Sequence, residues 1–223
     1  EKIEERLREL YAKISELRGI LADESKIRAI IREEMTAIRD KYGDARRTEL
    51  VEAHNEILDE DLIERHGLTL EFQYLRKNGR ILGKTVFDTG LEAVYDMELG
   101  EYTLFPVKAG TILIDASLCE EETSTGRLRF TEAHELSHWI LHKGLYVGTG
   151  ESAALQPAVR ETSMEIQANM LGSALLMPMP MVKRCFYQMR SGRDNQAIVQ
   201  AMSEVFQVSR QAMRIRLTNH HLL

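Results

Sequence analysis

Two histidines four residues apart, with a glutamate beside the first, stand in the stretch His134-Glu135-Leu136-Ser137-His138. On a helix, residues four apart share one face. His134 and His138 can therefore aim two imidazoles at one metal ion, and the Glu135 carboxylate can reach a water bound to it. A catalytic zinc usually takes three protein ligands and keeps one position open. His142 extends the same face but stands about 12 Å of helix rise from His134, too far for metal–nitrogen bonds of about 2 Å. Glu165 and Asn169, again four apart, lie on the next candidate helix. Glu165 is the favoured third ligand, and Glu161, one turn earlier, is its rival.

The elements that must position these groups can be read around them. A His-Glu-x-x-His pattern also fits an ordinary amphipathic helix with surface histidines, so its context matters. Thr131 is a candidate helix cap, Glu132 suits a first turn, and Gly144 is a natural stop. Ala133, Leu136, Ile140 and Leu141 give an apolar face at helical spacing. Ala168, Gly172 and Ser173 are small, which lets the second helix press closely on the first.

The combination of His134–His138, Glu165-Ile166-Gln167-Ala168-Asn169 and Leu175-Leu176-Met177-Pro178 resembles the ImmA/IrrE family of zinc metallopeptidases. Upstream, Glu71–Leu75, Ile81-Leu82-Gly83, Gly110–Asp115 and Arg127–Phe130 extend the likeness, which covers residues 57–223. The family is similar to the gluzincins, whose third ligand is a glutamate on a second helix. The resemblance implies Zn2+ held by His134, His138 and Glu165, Glu135 as the catalytic carboxylate, and Asn169 orienting a ligand. It also implies an intracellular endopeptidase whose substrate is a protein, with helix-turn-helix repressors the substrates of other members. A second donor to the oxyanion is expected, with Tyr146 and His142 as candidates.

The amino-terminal stretch has a different character. Ile3, Leu7, Leu10, Ile14, Leu17 and Leu21 recur at alternating spacings of four and three, a coiled-coil seam between charged flanks. Ile27, Ile31, Met35, Ile38 and Tyr42 form a second seam, and Gly43-Asp44 ends it. An antiparallel helical hairpin is expected. Ile20–Asp23, Ile30–Glu34 and Tyr42–Glu49 resemble the coiled-coil arm of the DNA gyrase A subunit, over residues 1–56. The sequence holds no cleavage-religation domain with its catalytic tyrosine. The expectation is a fusion, engineered or natural, in which the arm acts as spacer or homodimerisation element rather than topoisomerase.

Composition sets the outer bounds. A chain of 223 residues with 43% hydrophobic content can bury a proper core. It shows no signal-peptide pattern and no apolar run long enough for a membrane, so a cytoplasmic location and no membrane partner are expected. Cys119 and Cys185 are isolated and lack ligand spacing, which suits structural thiols in a reducing compartment. The net charge of −6 argues against a strongly basic nucleic-acid binder. Residues 178–223 are the exception, with seven basic and two acidic side chains.

The middle of the chain reads as short strands: 68–75 and 81–87 as a hairpin about Lys77-Asn78-Gly79, then 91–95, 102–107 and 111–114. Residues 145–157 read as a loop bordering the cleft. Three helices are expected at 181–190, 194–206 and 209–217, with Ser209 as a cap. Arg210, Gln211, Arg214 and Arg216 give the last helix a basic side, so a helix-turn-helix contacting DNA is the alternative function. A helical cap built on Ile198, Met202, Phe206, Met213 and Leu217 is favoured over it. The fold class is therefore α+β: a small mixed or antiparallel sheet on metal-binding helices at 57–180, preceded by the hairpin at 1–56 and followed by a helical subdomain at 181–223.

Overall fold

A computed structural model describes residues 62–77, 81–120, 125–146 and 157–223, with Lys26, Ala29, Arg32, Glu33 and Asn55; for 157–161 it describes the backbone alone. The chain divides into two compact units, Glu1–Gly43 and Asp44–Leu223. The expected coiled-coil hairpin lies almost wholly outside the described residues, as do the Asn78-Gly79 turn and the loop at 147–156. Every element from Leu62 onward belongs to the second unit.

After a single helical turn, α1 (Leu62–Arg65), come five strands: β1 (Thr69–Gln73), β2 (Gly83–Val86), β3 (Gly90–Asp96), β4 (Glu101–Val107) and β5 (Thr111–Asp115). A short α2 (Ser117–Glu120) leads to two long helices, α3 (Thr125–Tyr146) and α4 (Pro157–Leu176). Three shorter ones complete the chain, α5 (Met179–Met189), α6 (Asn195–Val205) and α7 (Arg210–Asn219). Mixed α+β architecture is thus what the sequence led one to expect. No helix among the described residues is long and apolar enough to cross a membrane.

The sheet corrects the reading of 68–75 and 81–87 as one hairpin. β5 lies between β1 and β2, parallel to β1 (Leu70↔Ile112) and antiparallel to β2 (Thr85↔Ile112). The reason is in β5 itself. Ile112, Leu113 and Ile114 are fully buried, and a strand covered on both faces belongs in the middle of a sheet, where both its edges are paired. β3 and β4 form a separate antiparallel ribbon. Its inner residues Val94, Val107 and Phe105 pack with Leu75, Val86 and Leu113 into one apolar core.

The helix carrying His134 also begins earlier than Thr131 suggested. It starts at Thr125, and the Thr131 hydroxyl donates to the Arg127 carbonyl one turn back. Gly144 does not stop it, because the helix runs on to Tyr146. Among the carboxy-terminal helices, Asp194 and Ser209 cap α6 and α7 by accepting from the amides of Ala197 and Ala212. Ile198, Met202, Phe206, Met213 and Leu217 are all buried. Gln207 makes the turn between α6 and α7 with φ of 50°, a conformation that favours glycine.

Candidate metal centre

Helices α3 and α4 bring His134, His138 and Glu165 together, with one ligand atom of each inside 4.8 Å of the others. The two Nε2 atoms are 3.0 Å apart. Glu165 sets Oε2 3.3 Å from Nε2 of His134 and Oε1 3.2 Å from Nε2 of His138. Three ligands on a tetrahedral ion with bonds of about 2.0–2.1 Å stand roughly 3.3–3.4 Å from one another, so this triangle fits a zinc-sized cation. Glu165 takes the place expected of it; the side chain of its rival Glu161 lies outside the described residues. Cys119 and Cys185 are free thiols apart from the group.

The close approach of the two helices has a local cause. A Cβ on Gly172 would come within 3.2–3.3 Å of the backbone of Ala133 and His134, and Ala168 is fully buried. Small residues on α4 let its backbone lie against α3, and Glu165 two turns before Gly172 is thereby held level with the histidines.

Each imidazole is held from behind. His134 Nδ1 stands 3.1 Å from the Asn169 Oδ1 atom, which places Asn169 beside one of the candidate ligands. His138 Nδ1 stands 3.1 Å from Nδ1 of His142, and His142 Nε2 stands 2.8 Å from Oε1 of Gln167. Burial, with the neighbouring His134 and His142, lowers His138 to a pKa of about 3. It is therefore a neutral imidazole at physiological pH, as a metal ligand must be.

Glu135 points to the sheet side. Thr85 of β2 puts its hydroxyl 2.8 Å from Oε2 of Glu135 and 2.7 Å from the Glu135 carbonyl. One hydroxyl has one proton; when Thr85 gives it to the carbonyl, a protonated Glu135 can give its own to Thr85. Burial raises Glu135 to a pKa of about 7, against the Thr85 bond and with the Glu165 charge. A carboxyl tuned there can both take and give a proton near neutrality.

These groups line a cleft of about 530 Å3. β2 forms one wall and is an edge of its sheet among the described residues. Phe130 lines it beside His134, with ring centres 6.4 Å apart. Tyr146 and Phe87, stacked at 4.2 Å, line it as well. Of the two candidate oxyanion donors, Tyr146 lines the cleft. His142 does not: it is buried behind His138, which removes it from that role.

Residues 103–218 match the family model of Peptidase M78, the IrrE N-terminal-like domain. The chain belongs to this family. The M78 match, to an IrrE-like domain, agrees with the ImmA/IrrE resemblance read from the motifs. A second set of relatives matches a different part of its character. The chain is 50% identical over 70 residues to the DNA gyrase A subunit of Clostridium acetobutylicum. It is 44% identical over 70 residues to that of Mycolicibacterium smegmatis. Each match takes in 31% of this chain and 8% of the gyrase chain. The corresponding gyrase chain of Staphylococcus aureus is 48% identical over 64 residues, 28% of this chain and 7% of its own length. The M78 chain thus spans less than a tenth of the curated relatives it matches.

The sequence reading missed Thr85 and Gln167. Thr85 left a trace, since Gly83 and Thr85 alternate on one face of a strand, a small residue followed by a hydroxyl. Gln167 left none, because its partner lies across a helix pair.

Proposed function

We propose that this M78 peptidase is a zinc-dependent endopeptidase that hydrolyses peptide bonds of an intracellular protein, with a helix-turn-helix repressor as the favoured substrate class. The observation that carries the reading is the convergence of His134, His138 and Glu165 at the floor of a cleft that Glu135 also faces. These three would hold the cation, which when bound supplies Lewis acidity, polarising a carbonyl oxygen and acidifying water. Glu135 takes the proton of the attacking water and delivers it to the leaving amine nitrogen as the C–N bond breaks. Thr85 keeps the Glu135 carboxyl turned toward the cleft, and Asn169 steadies the His134 ring. The open edge of β2 offers main-chain hydrogen bonds to an extended substrate segment laid along it.

In this reading residues 181–223 pack on the peptidase. Arg216, on the basic side of α7, donates to the Met177 carbonyl at 2.9 and 3.1 Å and is half-buried, which favours packing over DNA contact. The gyrase-like segment serves as spacer or dimerisation element.

Glu135→Gln tests the assignment. It should keep stoichiometric Zn2+ while cleavage falls below detection. Cleavage at the wild-type rate by that variant would remove Glu135 from the mechanism.

A further inference from the structure

The hydrogen bonds behind His138 form a chain with a direction. Three histidines stand at successive turns of one face of α3: His134, His138 and His142. The last is 2% exposed and bonds through Nε2 to Gln167 of α4 at 2.8 Å and through Nδ1 to His138 at 3.1 Å. A neutral imidazole has one N–H and one lone pair, so the two contacts of His142 cannot both be donations. Where Gln167 presents its oxygen, Nε2–H of His142 donates to it. Nδ1 of His142 must then accept, and the proton it accepts is Nδ1–H of His138. The lone pair of His138 is left on Nε2, the atom that faces His134 and Glu165. Turning the Gln167 amide over reverses every step. Its NH2 would donate to His142 Nε2, Nδ1–H of His142 would donate to His138, and the His138 proton would move to Nε2, inside the metal site.

We propose that Gln167, acting through His142, is the positioning residue that sets the tautomer of His138 and so decides whether the site can take a cation. The inference rests on the metal site of the proposed function and adds a group to it that touches neither substrate nor metal. It assigns different work to two residues of one helix. Glu165 supplies a ligand atom, and Gln167 makes a ligand atom available on the opposite helix.

Substitutions at position 167 separate this role from simple packing. Glu can only accept a hydrogen bond and keeps the direction of the chain. Met has nearly the same length and offers no oxygen acceptor. In full-length protein stripped of metal with EDTA and labelled with 15N-histidine, long-range 1H–15N spectra of wild type and Gln167→Glu should report His138 as the Nδ1–H tautomer. Gln167→Met should report an increased Nε2–H population. Competition with a chromophoric chelator should give Gln167→Glu a Zn2+ affinity within about threefold of wild type and Gln167→Met one weaker by about 10–100-fold, the usual cost of losing a ligand's supporting bond. Wild-type apoprotein with His138 as the Nε2–H tautomer would overturn the proposal, as would equal spectra and equal affinities for the Glu and Met variants. A wild-type protein that bound no Zn2+ would defeat the metallopeptidase reading instead, and the apoprotein spectrum would still judge the relay.

Discussion

Gly83 is the position where one methyl group should most damage catalysis while sparing the metal site. A Cβ built there falls 2.7 Å from Cγ2 of Thr131, 2.8 Å from Cγ of Glu135 and 2.8 Å from Oε1 of Glu135. Carbon atoms in contact rest at about 3.5–4.0 Å, so in Gly83→Ala the Glu135 side chain must retreat by roughly 0.7 Å or β2 must lift from α3. In the proposed mechanism the retreating group is the one that handles the proton. A misplacement of about 1 Å can reduce a rate about 100-fold. The expected fall in kcat/KM is therefore about 10–100-fold, or about 1.4–2.7 kcal/mol of transition-state stabilisation. None of the added contacts touches His134, His138 or Glu165, so Zn2+ content should stay at the wild-type level. The assay is hydrolysis of a quenched fluorescent peptide library, with bound zinc measured on the same samples. Gly90→Ala is the matched control, because a Cβ there meets nothing within 4 Å. Wild-type kcat/KM in Gly83→Ala would refute the reasoning, and loss of zinc with activity would show that the strain does not stop at Glu135.

Other expectations rest on single contacts. Thr85→Val removes the hydroxyl beside Glu135 at nearly constant shape and should lower kcat/KM about tenfold or more, since a bond to an ionised group is worth about 1.5–3 kcal/mol; an unchanged rate with zinc bound would count against Thr85. Gly144 sits inside α3 with open space about its Cβ position, so Gly144→Ala should stabilise the protein by about 0.5–1 kcal/mol and raise Tm by about 1–4 °C; a lowered Tm would contradict the continuous helix. Arg216→Ala leaves the Met177 carbonyl without its two donors and should destabilise by about 1–3 kcal/mol. An unaltered denaturation midpoint would mean that Arg216 is available for other work.

The parts of the site governed by helical periodicity were legible in the sequence. His134 with His138, and Glu165 with Asn169, are four-residue pairs, and spacing alone puts each pair on one face. The cap Ser209 was legible for the same local reason. What failed was what depends on a distant partner. Alternation identified 68–75 and 81–87 as strands, but it is silent on which strands pair, and the fully buried β5 took the place between them. Thr131 read as a cap because nothing local showed that the helix begins a turn and a half earlier, at Thr125. In the fold, Gly126 is the glycine that allows α3 to start beside the backbone of Val208 and Ser209, where a Cβ would come within 2.8 Å. Helical rise excluded His142 as a third ligand, but its place behind His138 needed the position of Gln167 on another helix.

The same contacts explain how one helix can carry the proposed catalytic group on one side and the proposed metal ligands on another without losing alignment. α3 is gripped where glycines remove side chains: at its start by the α6–α7 turn against Gly126, on the sheet side by Gly83, and on the α4 side by Gly172. At Gly126 and Gly172 backbone meets backbone, which cannot slide as side chains can. At Gly83 the strand lies directly against the side chains of Thr131 and Glu135, so the frame itself sets the spacing of Glu135 from Glu165. Arg129 strengthens the first of these grips. Buried in α3, it donates to the Phe206 and Gln207 carbonyls at the end of α6 and to Asn55. Asn55 in turn donates to the Val205 carbonyl. Asn55 precedes the point where the peptidase resemblance begins, yet it belongs to the larger unit, which starts at Asp44. Asn55, read from the sequence as part of the arm, thus supplies a buried partner to α3.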